Sequence, residues 1–325
     1  MHVVVVGDFP PDVRERIRAA FPCRWEIHIV TENEVWDFLQ KADVIIPEHF
    51  TVDDHVLDQA PGLVMIQTGS GFDNVDVAAC TKRGIRVCNA AGVNAAAVAE
   101  HVMALMLGWY KNLPYLDRFM KEHRDQGELC YSGSELFGKT IGIIGLGRIG
   151  QRVAGYCRAF GMRIMAAEHG NPAPPYVERV EVDQLYAQSS VITVHVPLNA
   201  STYHMIDGEA FEKMRNDALF INTARGAVVK EADLIQALEE GQIAGACLDV
   251  YEQEPLAVHS PLRDLPNVIL TPHTAGLPDG VRFHAGRYHF FADNIGRVEN
   301  GMIPENALND VPILRIPRGA GIPGV

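Results

Sequence analysis

The sequence predicts an α/β fold of two doubly wound parallel-sheet domains, one inserted into the other. Three observations carry that expectation. Short apolar runs alternate with helical patterns along the 325 residues, as they do where helices cover both faces of a parallel sheet. A strand, a glycine turn and a helix start, KTIGIIGLGRIGQR, stand in mid-chain at Lys139–Arg152 and open a second such series. A last helical pattern, Gly280–Asn300, lies beyond that series, and there the chain is expected to return to its first domain. The boundaries are set at 1–99 with 290–325 for the outer domain and 100–289 for the inserted one. Those lengths are ordinary for domains with their own cores.

In the first series HVVVVG, RWEIHIV, ADVIIP, LVMIQTG and IRVCNA read as strands, being short, apolar and bounded by turn residues. DVRERIRAAF and ENEVWDFLQK read as helices between them. The first turn, VVVVGDFPPD, lacks a glycine pattern, and Pro10 and Pro11 offer no N–H to a phosphate. No dinucleotide is expected there. Asn94–Leu113 is a long helical stretch, apolar on more than one face, which suits burial in a core or a subunit interface. After the polar connection YSGSELFGKT, the second series reads TIGIIG, RIMAAE, SVITVHV, DALFINT, IAGACLDV and NVILTPH as strands. Helical patterns such as KEADLIQALEEG lie between them. The tail from Met302 to Val325 is rich in Pro and Gly, and either packs back on the first domain or stays partly disordered.

Composition narrows the classes of function. A net charge of -13 disfavours partners held by phosphate neutralisation, so no nucleic acid is expected. No apolar run approaches the length of a membrane span. The opening MHVVVV is too short for a signal peptide and lacks a basic leader. Cys23, Cys80, Cys88, Cys130, Cys157 and Cys247 are scattered, with no C-x-x-C pair. They read as reduced thiols serving as small core residues, which suits a cytoplasmic protein. No metal ligands are assigned.

Gly145, Gly147 and Gly150 give G-x-G-x-x-G directly after a strand and before a helix. The first glycine permits a tight turn, the second lets backbone approach a pyrophosphate, and the third packs the helix close to the sheet. A dinucleotide's pyrophosphate would then meet a positive helix end, at Arg148 and Ile149. A chance glycine turn is the alternative. The next strand pattern ends at Glu168, in the window where an acid meets the ribose hydroxyls. A carboxylate there repels a 2′-phosphate and favours NAD over NADP, unless Glu168 is a plain exposed strand end. His169 follows and leaves some NADP use open. His195 and Pro197, at the end of SVITVHV, complete the expected cofactor contacts.

Three polar residues follow three successive strand patterns: Arg225 after LFINTA, Glu254 after GACLDVYEQ and His273 after VILTP. Ligands of an open parallel sheet bind beyond the carboxyl ends of its strands, where the glycine loop also lies. The three are therefore expected to converge beside a nicotinamide. Their chemistry suits reversible hydride transfer to a 2-oxo acid. Arg can hold a carboxylate and polarise a carbonyl. His can give the new alkoxide its proton near neutral pH. A neighbouring Glu stabilises the imidazolium. Each also has a plainer reading: His273 as one of thirteen histidines, Glu254 as a solvated turn residue before Pro255, Arg225 as a loop cap. Asp249, flanked by apolar residues, is either a buried, hydrogen-bonded structural acid or a contact to the nicotinamide carboxamide.

GLGRIG, INTARGAVV, LDVYEQEPL and LTPHTAG occur in this order, with TGSGFDNVD and NAAGVNAAAVAEHVMAL before them. Over about residues 40 to 300 the chain closely resembles the D-isomer specific 2-hydroxyacid dehydrogenases. The resemblance implies a Rossmann NAD-binding domain inserted into a flavodoxin-like substrate domain, with a cleft between them and a small 2-oxo or 2-hydroxy acid as partner. It implies Arg225 as binder of substrate carboxylate and carbonyl, His273 as acid/base, Glu254 as its partner and Asp249 as an acid near the nicotinamide. It puts Ser70 and Gly71 on the loop that holds the substrate carboxylate, and Thr223 and Ala224 on a cofactor-facing strand end. It also implies a homodimer formed through the helix at Asn94–Leu113. Phosphoglycerate dehydrogenases carry an arginine where this chain has IIPEHF, which argues against a phosphorylated substrate. Phosphite dehydrogenases carry a lysine where Ser70 stands, and formate dehydrogenases a glutamine where Glu254 stands. His49 and Phe50 are further candidates to face the substrate. An NAD-sensing binding protein, similar in fold to the C-terminal binding corepressors, is the alternative from another functional class.

Overall fold

The valine run at the start of the chain forms β1 (His2–Val6), buried on both faces. The computed structural model describes residues 1–122, 125–130, 133–167, 172–277 and 284–312. From β1 the chain continues through α1 (Pro11–Ala19), β2 (Glu26–Val30), β3 (Val44–Ile46), α2 (Asp54–Gln59), β4 (Met65–Gln67), α3 (Val77–Lys82) and β5 (Arg86–Cys88). Pro11 opens α1, a position where its missing N–H is no loss. Asp53 and Asp76 cap α2 and α3 by accepting the N–H groups of Val56 and Ala79. Among the described residues the strands run parallel in the order β2-β1-β3-β4-β5, the flavodoxin-like order. Val3, Val5 and Ile29 face one core; Val4, Val6 and Val30 face another, covered by Val35 and Leu39.

The second unit begins with α4 (Ala95–Tyr110) and α5 (Leu113–Lys121). It continues through β6 (Thr140–Ile144), α6 (Arg148–Ala159), β7 (Arg163–Ala167), β8 (Val177–Val180), α7 (Val182–Gln188) and β9 (Val191–Val194). It closes with α8 (Gly208–Lys213), β10 (Leu219–Asn222), α9 (Glu231–Glu239), β11 (Gly245–Leu248) and β12 (Val268–Leu270). The parallel order is β12-β11-β10-β9-β6-β7-β8, a Rossmann sheet whose strand order reverses between β6 and β9. Apolar side chains from both sheet faces build two cores. The chain then returns to the first unit with α10 (Ala285–Glu299).

Several expectations need correction. The compact units are Met1–Asn94 with the chain from Leu277 on, and Ala95–Gly276. The boundaries therefore fall at 95 and 277 rather than at 100 and 290. Helix α4 packs with α6, β10 and β11, and α10 buries Tyr288, Phe291, Ile295 and Val298 in the first unit's core. The long helix stops at Tyr110, because Asn112 takes a left-handed φ of 53° and Pro114 starts a new helix. ENEVWDFLQK is no helix: it makes two 3₁₀ turns, Val35–Asp37 and Leu39–Lys41. Glu34 turns back there to accept Thr31 N–H at 2.9 Å, a local bond that competes with helix. The strand β8 was not foreseen, since its VERV stretch carries two charges; as an edge strand it can expose them. Of the tail, Ala307 pairs with Cys88, and Leu308 N–H donates to Val87 O at 2.8 Å, covering the β5 edge. Residues 313–325 lie outside the described residues.

Candidate active site

The reversal between β6 and β9 in the second unit puts the glycine loop beside the end of β9. His195 N–H donates to Ile144 O at 2.7 Å. Gly145, at φ +100°, lies so close that a Cβ would be 2.6 Å from the His195 carbonyl. A Cβ on Gly150 would be 2.2 Å from Gly145 O, so this glycine lets α6 pack against the turn. A Cβ on Gly147 would meet nothing within 4 Å, which is the room a phosphate needs. No side chain caps α6, and a helix N-terminus is where an anion is held.

Two buried polar atoms on the same sheet edge lack partners among the described residues: His195 Nδ1 and Thr223 Oγ1. Buried polar atoms are otherwise almost always paired. Burial pushes the His195 imidazole down to about 3, so it is neutral over the ordinary pH range. Its Nε2 shares a hydrogen bond with Thr193 Oγ1 at 3.1 Å. Open space over Gly147, an uncapped helix end and two orphaned polar atoms fit a dinucleotide. Arg148, Ile149 and Ala224 lie partly or fully open on this edge, with Pro197 exposed. Glu168 lies outside the described residues.

Arg225 leaves the end of β10 in a turn held by Asn222, a buried amide at the end of an apolar strand. Asn222 accepts Ala224 N–H at 3.0 Å and donates to Arg225 O at 2.9 Å. A Cβ on Gly226 would lie 1.9 Å from the Tyr251 carbonyl, so the Arg225 turn and the loop after β11 touch backbone to backbone. That second loop carries Glu254, whose Oε1 accepts Tyr251 N–H at 3.2 Å and whose Oε2 is 2.6 Å from His273 Nδ1. Partial burial opposes ionisation of Glu254. The His273 hydrogen bond and charge, the Tyr251 N–H and the Arg225 charge outweigh it and hold the carboxyl below its usual value. Arg225, Glu254 and His273 therefore meet at one edge of the second unit.

His273 adopts a left-handed φ of 53°, which costs a non-glycine residue energy and must be imposed. Asp249, fully buried, imposes it. Its Oδ1 accepts from Thr271 Oγ1 at 2.5 Å and Thr274 N–H at 3.0 Å, and its Oδ2 from Ala275 N–H at 2.9 Å. Its backbone carbonyl takes His273 N–H at 2.8 Å. Asp249 is thus a buried, hydrogen-bonded acid on the edge that carries His273. Thr271 also bonds His101 Nε2 at 3.1 Å. Asn222, Thr193, Thr271 and His101 were not singled out in the sequence. A polar residue at the buried end of an apolar strand pattern is the signal that could have found Asn222.

In the first unit, Ser70 Oγ bonds Asn94 Oδ1 at 2.8 Å and Ser70 O accepts Asn89 Nδ2–H at 3.1 Å, which fixes the Ser70–Gly71 loop to the one after β5. Phe50 is a core residue, packed edge-on to Trp36. Burial pushes the Cys80 thiol up to about 11, and Cys88 and Cys157 up to about 12, which disfavours the thiolate.

Residues 103–275 match the D-isomer specific 2-hydroxyacid dehydrogenase NAD binding domain. The chain is 39% identical over 277 residues to a D-3-phosphoglycerate dehydrogenase from Archaeoglobus fulgidus. That match takes in 82% of this chain and 51% of the relative, so the chain spans about half the relative's length. It is 37% identical over 276 residues to a glyoxylate reductase from Korarchaeum cryptofilum, 82% of each. Its fold is similar to that of an NADPH-dependent glyoxylate/hydroxypyruvate reductase from Sinorhizobium meliloti, solved with NADP and malonate. The TM-score is 0.85 at 28% identity, over 96% of this chain and 97% of the other. With likenesses that reach 82% of the sequence and run through both units, the chain belongs to the D-isomer specific 2-hydroxyacid dehydrogenase family.

Proposed function

We propose that the chain is an NAD-dependent D-2-hydroxyacid dehydrogenase that works as a reductase of small, unphosphorylated 2-oxo acids. The observation that carries this reading is the 2.6 Å bond between Glu254 and His273, on the sheet edge that also bears the glycine loop. When bound, the nicotinamide supplies or takes the hydride. The turn Gly145–Gly150 and the start of α6 hold the pyrophosphate, with Thr223, Ala224, His195 and Pro197 along the rest of the cofactor. Arg225 grips the substrate carboxylate and polarises the carbonyl. With Nδ1 held by Glu254, the proton for the new alkoxide comes from His273 Nε2. The Glu254 carboxylate stabilises the imidazolium, and Asp249 aims the loop that carries it. Ser70 and Gly71 are the first unit's candidates for contact with the substrate carboxylate, as the resemblance implies.

The IIPEHF segment holds no arginine, where phosphoglycerate dehydrogenases carry one, which supports an unphosphorylated acid such as glyoxylate or hydroxypyruvate over a phosphate ester; its Glu48 accepts Arg287 Nη2–H at 3.0 Å and Tyr288 O–H at 2.7 Å. Glu168 supports NAD, with NADP the lesser cofactor. The reading includes a homodimer in a reducing compartment such as the cytoplasm. All six cysteines are free, and Leu113, Met120 and Phe137 leave apolar side chains exposed on the second unit. No helix among the described residues is long and apolar enough to cross a membrane.

The test is oxidation of NADH and of NADPH by a panel of glyoxylate, hydroxypyruvate, pyruvate, phenylpyruvate and branched oxoacids. Turnover is expected with NADH and the smaller acids. Tight NADH binding without turnover on any of them would sink the proposal.

A further inference from the structure

We propose that His2, Glu26 and His28 form a binding site for one divalent transition-metal ion of the zinc class. The sequence assigns no such site, because His2 is far from the other two along the chain. The sheet register brings them together: His2 pairs with Glu26 and Val4 with His28 across β1 and β2. Side chains alternate along a strand, so all three residues lie on one sheet face, at the rim of the core that holds Val4, Val6 and Val30.

The ligand atoms are nearly in place. His2 Nδ1 lies 3.2 Å from one Glu26 oxygen, and His28 Nε2 lies 3.1 Å from the other. The three donor atoms all fall within 4.8 Å of one another. Ligands around a tetrahedral ion with bonds of about 2.0–2.2 Å sit roughly 3.3 Å apart, so small side-chain rotations suffice. The two imidazoles are already parallel, 2° apart in plane and 6.2 Å between centres. His2 Nδ1 is buried and, although close to Glu26, makes no aligned hydrogen bond. Its near neighbour of opposite charge is the Glu26 carboxylate, the third group of the set.

β2 is an edge strand whose Glu26 and His28 end is open to solvent while Ile29 and Val30 are buried, so both groups stand where an ion and its waters can reach them. His28 packs on Phe38, with ring centres 4.7 Å apart, which orients its ring. Two imidazoles and one carboxylate suit Zn²⁺, Ni²⁺ or Cu²⁺ rather than Mg²⁺ or Ca²⁺. The partial exposure of the three side chains (34%, 60% and 24% for His2, Glu26 and His28) leaves water to complete the coordination. A bound ion would tie the edge strand β2 to β1.

The experiment is calorimetric titration of ZnCl₂ into chelator-stripped full-length protein and into His2→Gln, Glu26→Gln and His28→Gln, with thermal denaturation in parallel. One equivalent should bind the wild type and raise its Tm, since a ligand of the folded state stabilises it. Each variant should weaken that binding by about tenfold or more, while oxoacid turnover is unchanged. Equal zinc affinity in all four proteins, or none in the wild type, would overturn the proposal. Should a variant fail to fold, anomalous diffraction at the zinc edge from wild-type crystals decides. An ion between these three residues supports the site, and one only elsewhere refutes it.

Discussion

His273 combines a left-handed backbone with a hydrogen bond to Glu254, and the two have separate consequences. His273→Ala is expected to lower kcat by about 10²–10⁴-fold, the usual worth of a general acid, while NADH affinity measured by fluorescence is held. Loss of NADH binding instead would move His273 into the cofactor site. Glu254 is held below its usual carboxyl value by His273, the Tyr251 N–H and Arg225, against the opposing pull of burial. A depressed carboxylate contributes stability above its unfolded pKa and loses it as pH falls through the folded one. The gap in urea midpoint between wild type and Glu254→Gln should therefore be widest near pH 7 and vanish in strong acid. A gap that is constant with pH would show that the charge is not the cause. Asp249→Ala should destabilise the fold by about 1–3 kcal/mol for each N–H left buried and unpaired, read as a lower urea midpoint. The three strand-end residues were legible because the carboxyl edge of a parallel sheet is where ligands bind. Asp249's backbone clamp was not legible, because it depends on which N–H groups a loop turns inward.

At the scale of elements, the Arg225 turn and the Glu254 loop meet through Gly226. Gly226→Ala would drive a methyl into the Tyr251 carbonyl, where only backbone could yield. It should destabilise by about 1–3 kcal/mol and lower kcat with little change in NADH affinity. Gly150→Ala should act the other way, loosening NADH while the Glu254–His273 pair persists. Equal effects of both variants on NADH binding would mean the two loops move as one. Most strands could be read from apolar runs, because a parallel sheet buried on both faces writes an unbroken signal. The misreadings fell where that signal fails. The segment from Val35 to Lys41 offers apolar residues at helical spacing but spends them on two 3₁₀ turns. The edge strand β8 needs only one buried face, so its charges disguised it.

Across the whole molecule, a homodimer of the 35.8 kDa chain predicts a sedimentation mass of twice that value. Replacing the exposed Met120 and Phe137 by polar residues should shift it toward the single-chain mass, and an unshifted dimer would place the interface elsewhere. The division into two units followed from the mid-chain glycine loop, but the boundaries did not. Only packing shows that Tyr288 and Phe291 belong to the first core. That late return has a consequence for the order in which the protein is made. The second unit is one continuous segment, Ala95–Gly276, and its contacts can close as soon as it leaves the ribosome. The first unit's strands are made before it but must wait for α10, which is made after it. Until then the valine-rich sheet stands with one flank bare, in need of shelter.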